Sequence, residues 1–426
     1  MSPFQNETET VEITRLDNGL TVVTDPSPGV YTATVGLWVG AGSRHEQENE
    51  HGLSHLIEHM AFKGTARRSA LQIAEDIENI GGDINAATTA ESTGYSVRVL
   101  GDSVPVAVDV LADILLNATL ADDELAREKN VILQEYAAVE DTPDDLVYDA
   151  FLETAFAAQP LGRPVIGTPR TIAPMTAAGI RAFLEREYVP ERMVLAAGGA
   201  VRHAEMVELA HRFFGGLTAR QAPPAAPGRY TGGNRRIRRK LEQLNIVIGF
   251  PGYSHSDDRH YAAHMFAHIL GGSLTSRLWR EVRETRGLAY EIGAFHWTFS
   301  DCGILGIGGA AGEKDARDYL NVVRDTVFQT VETLSPAELE RARAQTKVGI
   351  LTALENPAGR TALWARQLMA WGRLISSTET VRIIDALTLD DIRAVGREML
   401  AGQPTFAAIG PVRALPAPDA VFPPLR

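Results

Sequence analysis

Apolar residues alternate with polar or small ones through TATVGLWVGAG (residues 32–42), the period of a half-buried strand. The pattern turns helical around HLIEH (55–59). It returns to a strand pair in GGDINAATTAESTGYSVRVLG (81–101) and is helical again from PVAVDVLADIL (105–115). The same order recurs later in the chain: strand LNIVIGFPG (244–252), helix YAAHMFAHIL (261–270), strand pair LAYEIGAFHWTFSDCGILGIGG (288–309) and helix from DARDYLNVVRDTVF (315–328). Between the halves lies LTARQAPPAAPGRYTGGN (217–234), rich in Pro, Gly and Ala and without an apolar period. The pattern predicts a duplicated α+β fold, with domains 1–217 and 235–426 joined by a linker, 218–234. Each domain is expected to be a mostly antiparallel sheet with helices packed on one face.

The duplication is most visible where LADDELAREKNVILQE (120–135) aligns without a gap on LSPAELERARAQTKVG (334–349). Leu120, Glu124, Leu125 and Arg127 meet Leu334, Glu338, Leu339 and Arg341, so these positions read as scaffold. Glu128 meets Ala342, and Glu135 meets Gly349. A residue carried by one copy alone is freer to serve chemistry.

Composition narrows what that chemistry can be. A chain of 426 residues exceeds one core, in keeping with two domains, and 45% hydrophobic with 22% charged residues is an ordinary globular balance. The single cysteine, Cys302, excludes a disulfide framework and a thiolate cluster, so any metal must be held by histidine and carboxylate, and zinc is the natural candidate. The opening MSPFQNETETVEITRLDNG has neither a signal-peptide core nor an arginine-rich presequence. No run reaches the roughly 18 to 20 apolar residues of a membrane helix. The expectation is an intracellular protein with no membrane partner. A net charge of -13 argues against nucleic acid, and RRIRRK (235–240) reads as the solvated start of a strand.

Against that background HLIEH stands out. His55 and His59 sit one turn apart, about 6 Å along a helix axis, so both imidazoles can reach one ion. Glu58 lies beside them, able to act as base on a metal-activated water but poorly aimed to be a ligand. A catalytic zinc usually takes three protein ligands. Glu128 and Glu135 are seven residues apart and share a helix face, so one can be the third ligand and the other can orient an imidazole N–H. Spacing leaves open which is which. His51 precedes His55 by one turn but has no accompanying carboxylate, and Gly52 places it at a frayed helix start. His264 and His268, in HMFAH, occupy the equivalent place in the second half. There Ala267 stands in place of the base and Ala342 and Gly349 in place of the acids, so one metal site per chain is expected.

HLIEH has the form H-x-x-E-H, and the chain resembles the pitrilysin-type zinc peptidases, in particular the bacterial form of their mitochondrial-processing-peptidase branch. The resemblance is carried by GSRHEQENEHGLSHLIEHMAFKGT (42–65), GGDINAATTAESTGYSVRVL (81–100), REKNVILQEYAAVEDTPDD (127–145) and GGSLTSRLWREVRETRGLAYEIGA (271–294). It implies His55, His59 and Glu135 as ligands of one zinc ion, Glu58 as general base and Glu128 as a supporting acid. It also implies that Arg283 and Tyr290 contact the substrate backbone and stabilise the developing oxyanion. Asn85, Ala86 and Ala87 would then offer main-chain contacts on an edge strand that a peptide joins as an added strand.

The resemblance further implies a homodimeric, cytoplasmic bacterial endopeptidase acting on short or unfolded peptides, the two domains of each chain forming half of a closed chamber. Some relatives split the zinc motif and the Arg/Tyr pair between two subunits, and this chain carries both; dimeric relatives suggest that Arg283 serves the partner's zinc. Other readings are a non-catalytic core or peptide-binding subunit, and a protease dedicated to maturing one peptide. Intact His55, Glu58, His59 and Glu135 favour the enzyme.

Overall fold

A computed structural model describes residues 10–416 and 421–422; residues 1–9, within the stretch read for targeting signals, lie outside them. The first sheet has six strands, β1 (Glu12–Arg15), β2 (Thr21–Pro26), β3 (Thr32–Val39), β4 (Asp83–Thr88), β5 (Thr93–Leu100) and β6 (Met193–Gly199), in the order β1-β2-β6-β3-β5-β4. Its neighbours are antiparallel except β2 and β6.

Ala33, Val35, Leu37 and Val39 share one face of β3, as their alternation predicts. They pack with Val22, Leu195 and Ala197 against Val108 and Leu111 of helix Val104–Leu116 and Leu209 of helix His203–Phe214. The other face is covered too. Val23, Val194 and Ala196 pack against Trp364 and Ala365 of helix Pro357–Trp371, far along the chain. Buried Asp25 of β2 pins that helix, accepting hydrogen bonds from Arg360 (2.5 and 2.7 Å) and from the Trp364 indole (2.6 Å). A carboxylate is tolerated there because it is fully paired.

The second sheet repeats the plan with β7 (Gly233–Arg238), β8 (Gln243–Gly252), β9 (Ile292–Thr298), β10 (Gly303–Gly312) and β11 (Thr405–Gly410), in the order β7-β11-β8-β10-β9. Only β7 and β11 pair in parallel. Helices His260–Gly271, Ala316–Thr333 and Leu389–Leu400 pack on one face, and helix Pro143–Ala155 lies on the other. Gly249 of β8 makes room for that helix: a Cβ there would come 2.4 Å from the Phe151 ring.

Two compact units therefore interleave along the chain. One comprises residues up to Tyr136, Pro164–Ala226 and Ile350–Thr378; the other comprises Ala137–Arg163, Pro227–Gly349 and residues from Glu379 onward. The linker expected at 218–234 separates the two sheets, but 1–217 and 235–426 are not the compact units, because each sheet takes one covering helix from the other half of the chain. The cause is local. β6 is buried along its whole length and β8 from Leu244 to Phe250, so each needs apolar cover on both faces. The RRIRRK run is a largely exposed strand start, as its solvated reading expects, and its arginines are also paired. Residues 235–238 lie in β7, with Arg235 paired to Glu153 at 2.8 Å and Arg236 donating to the carbonyls of Leu415 (2.9 Å) and Pro416 (2.5 Å), and Arg239 just beyond the strand is paired to Glu140. Among the described residues no helix is long and apolar enough to cross a membrane.

Candidate metal centre

The motif helix, Leu53–Ala61, starts at Gly52, which is left-handed at φ 93°. A Cβ at Gly52 would lie 2.7 Å from Gly167 Cα, so this entry to the helix requires glycine. The helix N-terminus is closed by buried Glu46, whose carboxylate accepts from Gly52 N–H (2.8 Å) and Ser54 N–H (2.7 Å), a negative charge where the helix dipole favours one. Leu53, Leu56, Ile57 and Met60 drive into a core with Leu125, Ile132, Ile180 and Phe183, leaving His55, Glu58 and His59 only partly buried.

Helix Asp122–Glu140 enters the same core through Leu125 and Ile132, seven residues apart. Glu128 and Glu135 each lie three positions further on, along an adjacent stripe. Their surroundings separate them. Glu135 Oε2 is 3.7 Å from His55 Nε2 and 3.6 Å from His59 Nε2, and one ligand atom from each of the three residues lies within 4.8 Å of the others. Glu128, only 5% exposed, accepts from His59 Nδ1 at 3.0 Å through Oε2 and from Lys63 Nζ at 2.9 Å through Oε1.

These residues suit zinc. Burial first, then the nearby His59, lowers His55 to about 4 against the opposing pull of Glu135, so near neutral pH its imidazole is uncharged with a lone pair to give. The Nδ1–H bond from His59 to Glu128 selects the tautomer whose Nε2 lone pair faces His55 and Glu135. Two imidazoles and a carboxylate form a recognised catalytic zinc donor set. Beside them Glu58 accepts a 2.5 Å hydrogen bond from the Thr88 hydroxyl.

Thr88 ends β4, the free edge of the first sheet. Thr89 N–H donates to Ser92 C=O and closes the β4–β5 hairpin. Antiparallel alternation then turns the main-chain groups of Ile84, Ala86 and Thr88 to the open side and those of Asn85 and Ala87 toward β5. Of the three expected substrate-strand residues, Ala86 thus presents its main chain to the edge. Asn85 reaches that edge by its side chain, with Oδ1 accepting from Ala86 N–H at 2.9 Å. Ala87 does not offer the main-chain contact expected of it.

In the second unit Arg283 and Tyr290 are brought together. The guanidinium lies between the rings of Trp279 (4.2 Å) and Tyr290 (4.5 Å) and donates to Tyr290 C=O at 2.8 Å. Arg283 belongs to a π-helical turn, Trp279–Glu284, and the Tyr290 side of this stack is 77% exposed. His51 hydrogen-bonds the Pro164 carbonyl (2.8 Å) and stands outside the trio. His268 bonds the Gln345 side chain (2.9 Å). Among the described residues, His55, His59 and Glu135 are the one cluster of three such groups that can hold a metal.

Glu46, Lys63, Thr88 and Trp279 were not singled out from sequence. Lys63 had a signal, four residues after His59, and Thr88 follows Ala86 by the strand period. The cap by Glu46 depends on a loop whose path no local pattern announces.

Residues 21–169 match the family described as Insulinase (Peptidase family M16), and residues 174–346 match the Peptidase M16 inactive domain. The chain is 36% identical over 414 residues to an uncharacterized zinc protease of Streptomyces coelicolor, spanning 95% of this chain and 90% of that one. It is 31% identical over 406 residues to the uncharacterized zinc protease YmxG of Bacillus subtilis, spanning 94% and 98%. In fold it is similar to a peptidase M16 inactive domain from Pseudomonas fluorescens (TM-score 0.88, 21% identity, 98% of this chain and 100% of that one). A protease from Helicobacter pylori is similar to the same degree (TM-score 0.88, 21% identity, 94% and 99%).

Proposed function

Because the chain belongs to the M16, or insulinase, family of peptidases, we propose that it is a zinc-dependent, processing-peptidase-like endopeptidase cleaving short or unfolded peptides. The observation that carries this reading is the convergence of His55, His59 and Glu135 with Glu58 on the same motif helix and Glu128 behind His59. A zinc ion held by the trio would supply a Lewis acid that activates water and polarises a peptide carbonyl. Glu58 takes the proton of the attacking water and returns it to the leaving amine. Glu128 fixes the ring of His59, and Lys63 balances the buried charge of Glu128. Ala86 and its neighbours on the open edge of β4 pair with an extended peptide, reading backbone shape more than sequence. Arg283 and Tyr290 donate hydrogen bonds to the oxyanion.

The working form in this proposal is a cytoplasmic homodimer with one zinc per chain. Arg283 serves the partner's site. Mixing Glu58→Gln chains with Arg283→Ala chains then restores activity in mixed dimers; no recovery counts against that arrangement.

The reading is tested by hydrolysis of a quenched fluorescent peptide library by the native chain and by Glu58→Gln, with zinc measured on both. Cleavage by the native chain alone, with zinc retained in both, supports it. Zinc bound without cleavage by either would favour a non-catalytic peptide-binding subunit.

A further inference from the structure

Glu58 has one hydrogen-bond partner among the described residues, and it is neither a metal ligand nor a member of its own helix. Thr88 Oγ1 donates to Glu58 Oε2 at 2.5 Å. A carboxylate that must both take and return a proton works only if one oxygen is held in reach of the reacting atoms, and a free Glu side chain rotates about several bonds. The walls around it offer little other restraint of that kind. Tyr95 and Tyr188 lie near enough for their phenols to be raised by the Glu58 charge as well as, first, by burial, yet their hydroxyls bond each other at 3.4 Å.

Thr88 also occupies a particular place on β4. Its side chain shares the partly buried face with Ile84 and Ala86, toward the motif helix, while its main chain faces the open edge. An extended peptide paired to that edge would lie about 4.8 Å from β4 and would hydrogen-bond the same stretch of backbone whose last side chain grips Glu58.

We propose that Thr88 is a positioning residue for the general base: its hydroxyl holds Oε2 of Glu58, leaves Oε1 free for proton transfer, and ties the aim of the base to the strand that receives the substrate. The inference rests on the peptidase reading above. Thr88 acts through Glu58 and makes no contact of its own with the reacting atoms.

The test compares native, Thr88→Val, Thr88→Ser, Glu58→Gln and the Glu58→Gln/Thr88→Val double variant on one quenched peptide. Zinc content is measured on each, and peptide binding is measured by fluorescence anisotropy on the two Glu58→Gln chains. Thr88→Val keeps the shape and loses the donor. It is expected to lower kcat by about 10- to 100-fold, the loss of a hydrogen bond to a charged group, with KM within about twofold and zinc retained. Thr88→Ser, which keeps the hydroxyl, is expected to stay within about threefold of native. In the Glu58→Gln background the same Thr88→Val change is expected to cost nothing further and to leave peptide affinity unchanged, because its effect runs through Glu58. Native activity with an unaltered kcat in Thr88→Val overturns this inference and leaves the peptidase reading standing. So does Thr88→Ser as slow as Thr88→Val, a rise in KM alone, or an additive loss in the double variant. An inactive zinc-loaded native chain takes down the peptidase reading and this inference together.

Discussion

Helices Leu53–Ala61 and Asp122–Glu140 in the first half of the chain, and His260–Gly271 and Pro336–Ala353 in the second half, follow one plan with opposite outcomes. In both, a helix carries two histidines one turn apart and a long helix sends a leucine into the core, Leu125 at 4% exposure and Leu339 at 4%. The slot three residues after that leucine is buried in each copy, filled by Glu128 in one and by Ala342 in the other. Burying a carboxylate costs several kcal/mol unless it is paired. His59 and Lys63 supply that pairing for Glu128, and no such demand falls on Ala342. At the next turn Glu135 faces the two imidazoles, whereas Gly349 has nothing within 4 Å of where a Cβ would be. His268, with no acid to meet, bonds Gln345. The duplicated scaffold thus keeps the packing twice and the charged, costly groups once, as the proposed role of those groups in chemistry requires.

The comparison can be broken in several ways, and the largest effect is expected at Glu135. Glu135→Ala removes the third donor and is expected to lower peptide hydrolysis by at least about a thousandfold, with loss of tightly held zinc on dialysis. The counterpart change, Gly349→Glu, enters open space and is expected to alter neither activity nor zinc content. Next is Ala342→Glu, which places a carboxylate in the buried slot with no counterpart of Lys63 and beside a His268 that is already bonded to Gln345. Urea unfolding is expected to show a loss of about 3 kcal/mol or more; a neutral result would mean the two slots differ less than their surroundings indicate.

A smaller effect belongs to Lys63→Met. It leaves the Glu128–His59 bond in place but strips half of the support for the buried charge. Zinc affinity, read by competition with a chromogenic chelator, is expected to weaken about 10- to 100-fold. Equal affinity would make Lys63 a surface charge. The smallest concerns His296 in the second unit. It is buried, accepts from Tyr253 N–H at 3.1 Å, and is held down to about 3, first by burial and then by His264 and His260. The folded chain keeps it neutral while the unfolded chain protonates it below about 6.5, so stability falls as pH drops through that window and is regained above it. Between pH 7 and 5.5 His296 is expected to account for about 1 kcal/mol of the loss, so the drop is smaller by about that amount in His296→Gln while His55 and the other lowered histidines keep their share; urea titrations at the two pH values measure it.

How far the sequence could be read follows the same line between local and distant causes. The alternation of β3 and the histidine spacing are local, and they placed the strand, the motif helix and His55, Glu58 and His59 as found. Glu128 and Glu135 could not be told apart by spacing, because seven residues put both on one face. What separates them is which one meets Lys63, just past the end of the motif helix, a contact distant in sequence. The full burial of β6 and β8 was visible as near-continuous apolar runs, and such runs ask for cover on both faces. Nothing in them says that the cover is helix Pro357–Trp371 or helix Pro143–Ala155. The orientation of Ala87 turned on how the hairpin closes at Thr89 and Ser92, and the pairing of Arg235 and Arg239 on acids roughly a hundred residues away.

The most direct test of the central claim, that one copy of the duplicated helix pair holds the metal and the other does not, is zinc counted per chain after exhaustive dialysis. It would be measured on the native protein, on His55→Ala/His59→Ala and on His264→Ala/His268→Ala. The expected result is one zinc in the native chain, none in the first variant and one in the second. Two zinc ions in the native chain, with one lost from the His264→Ala/His268→Ala variant, would contradict it.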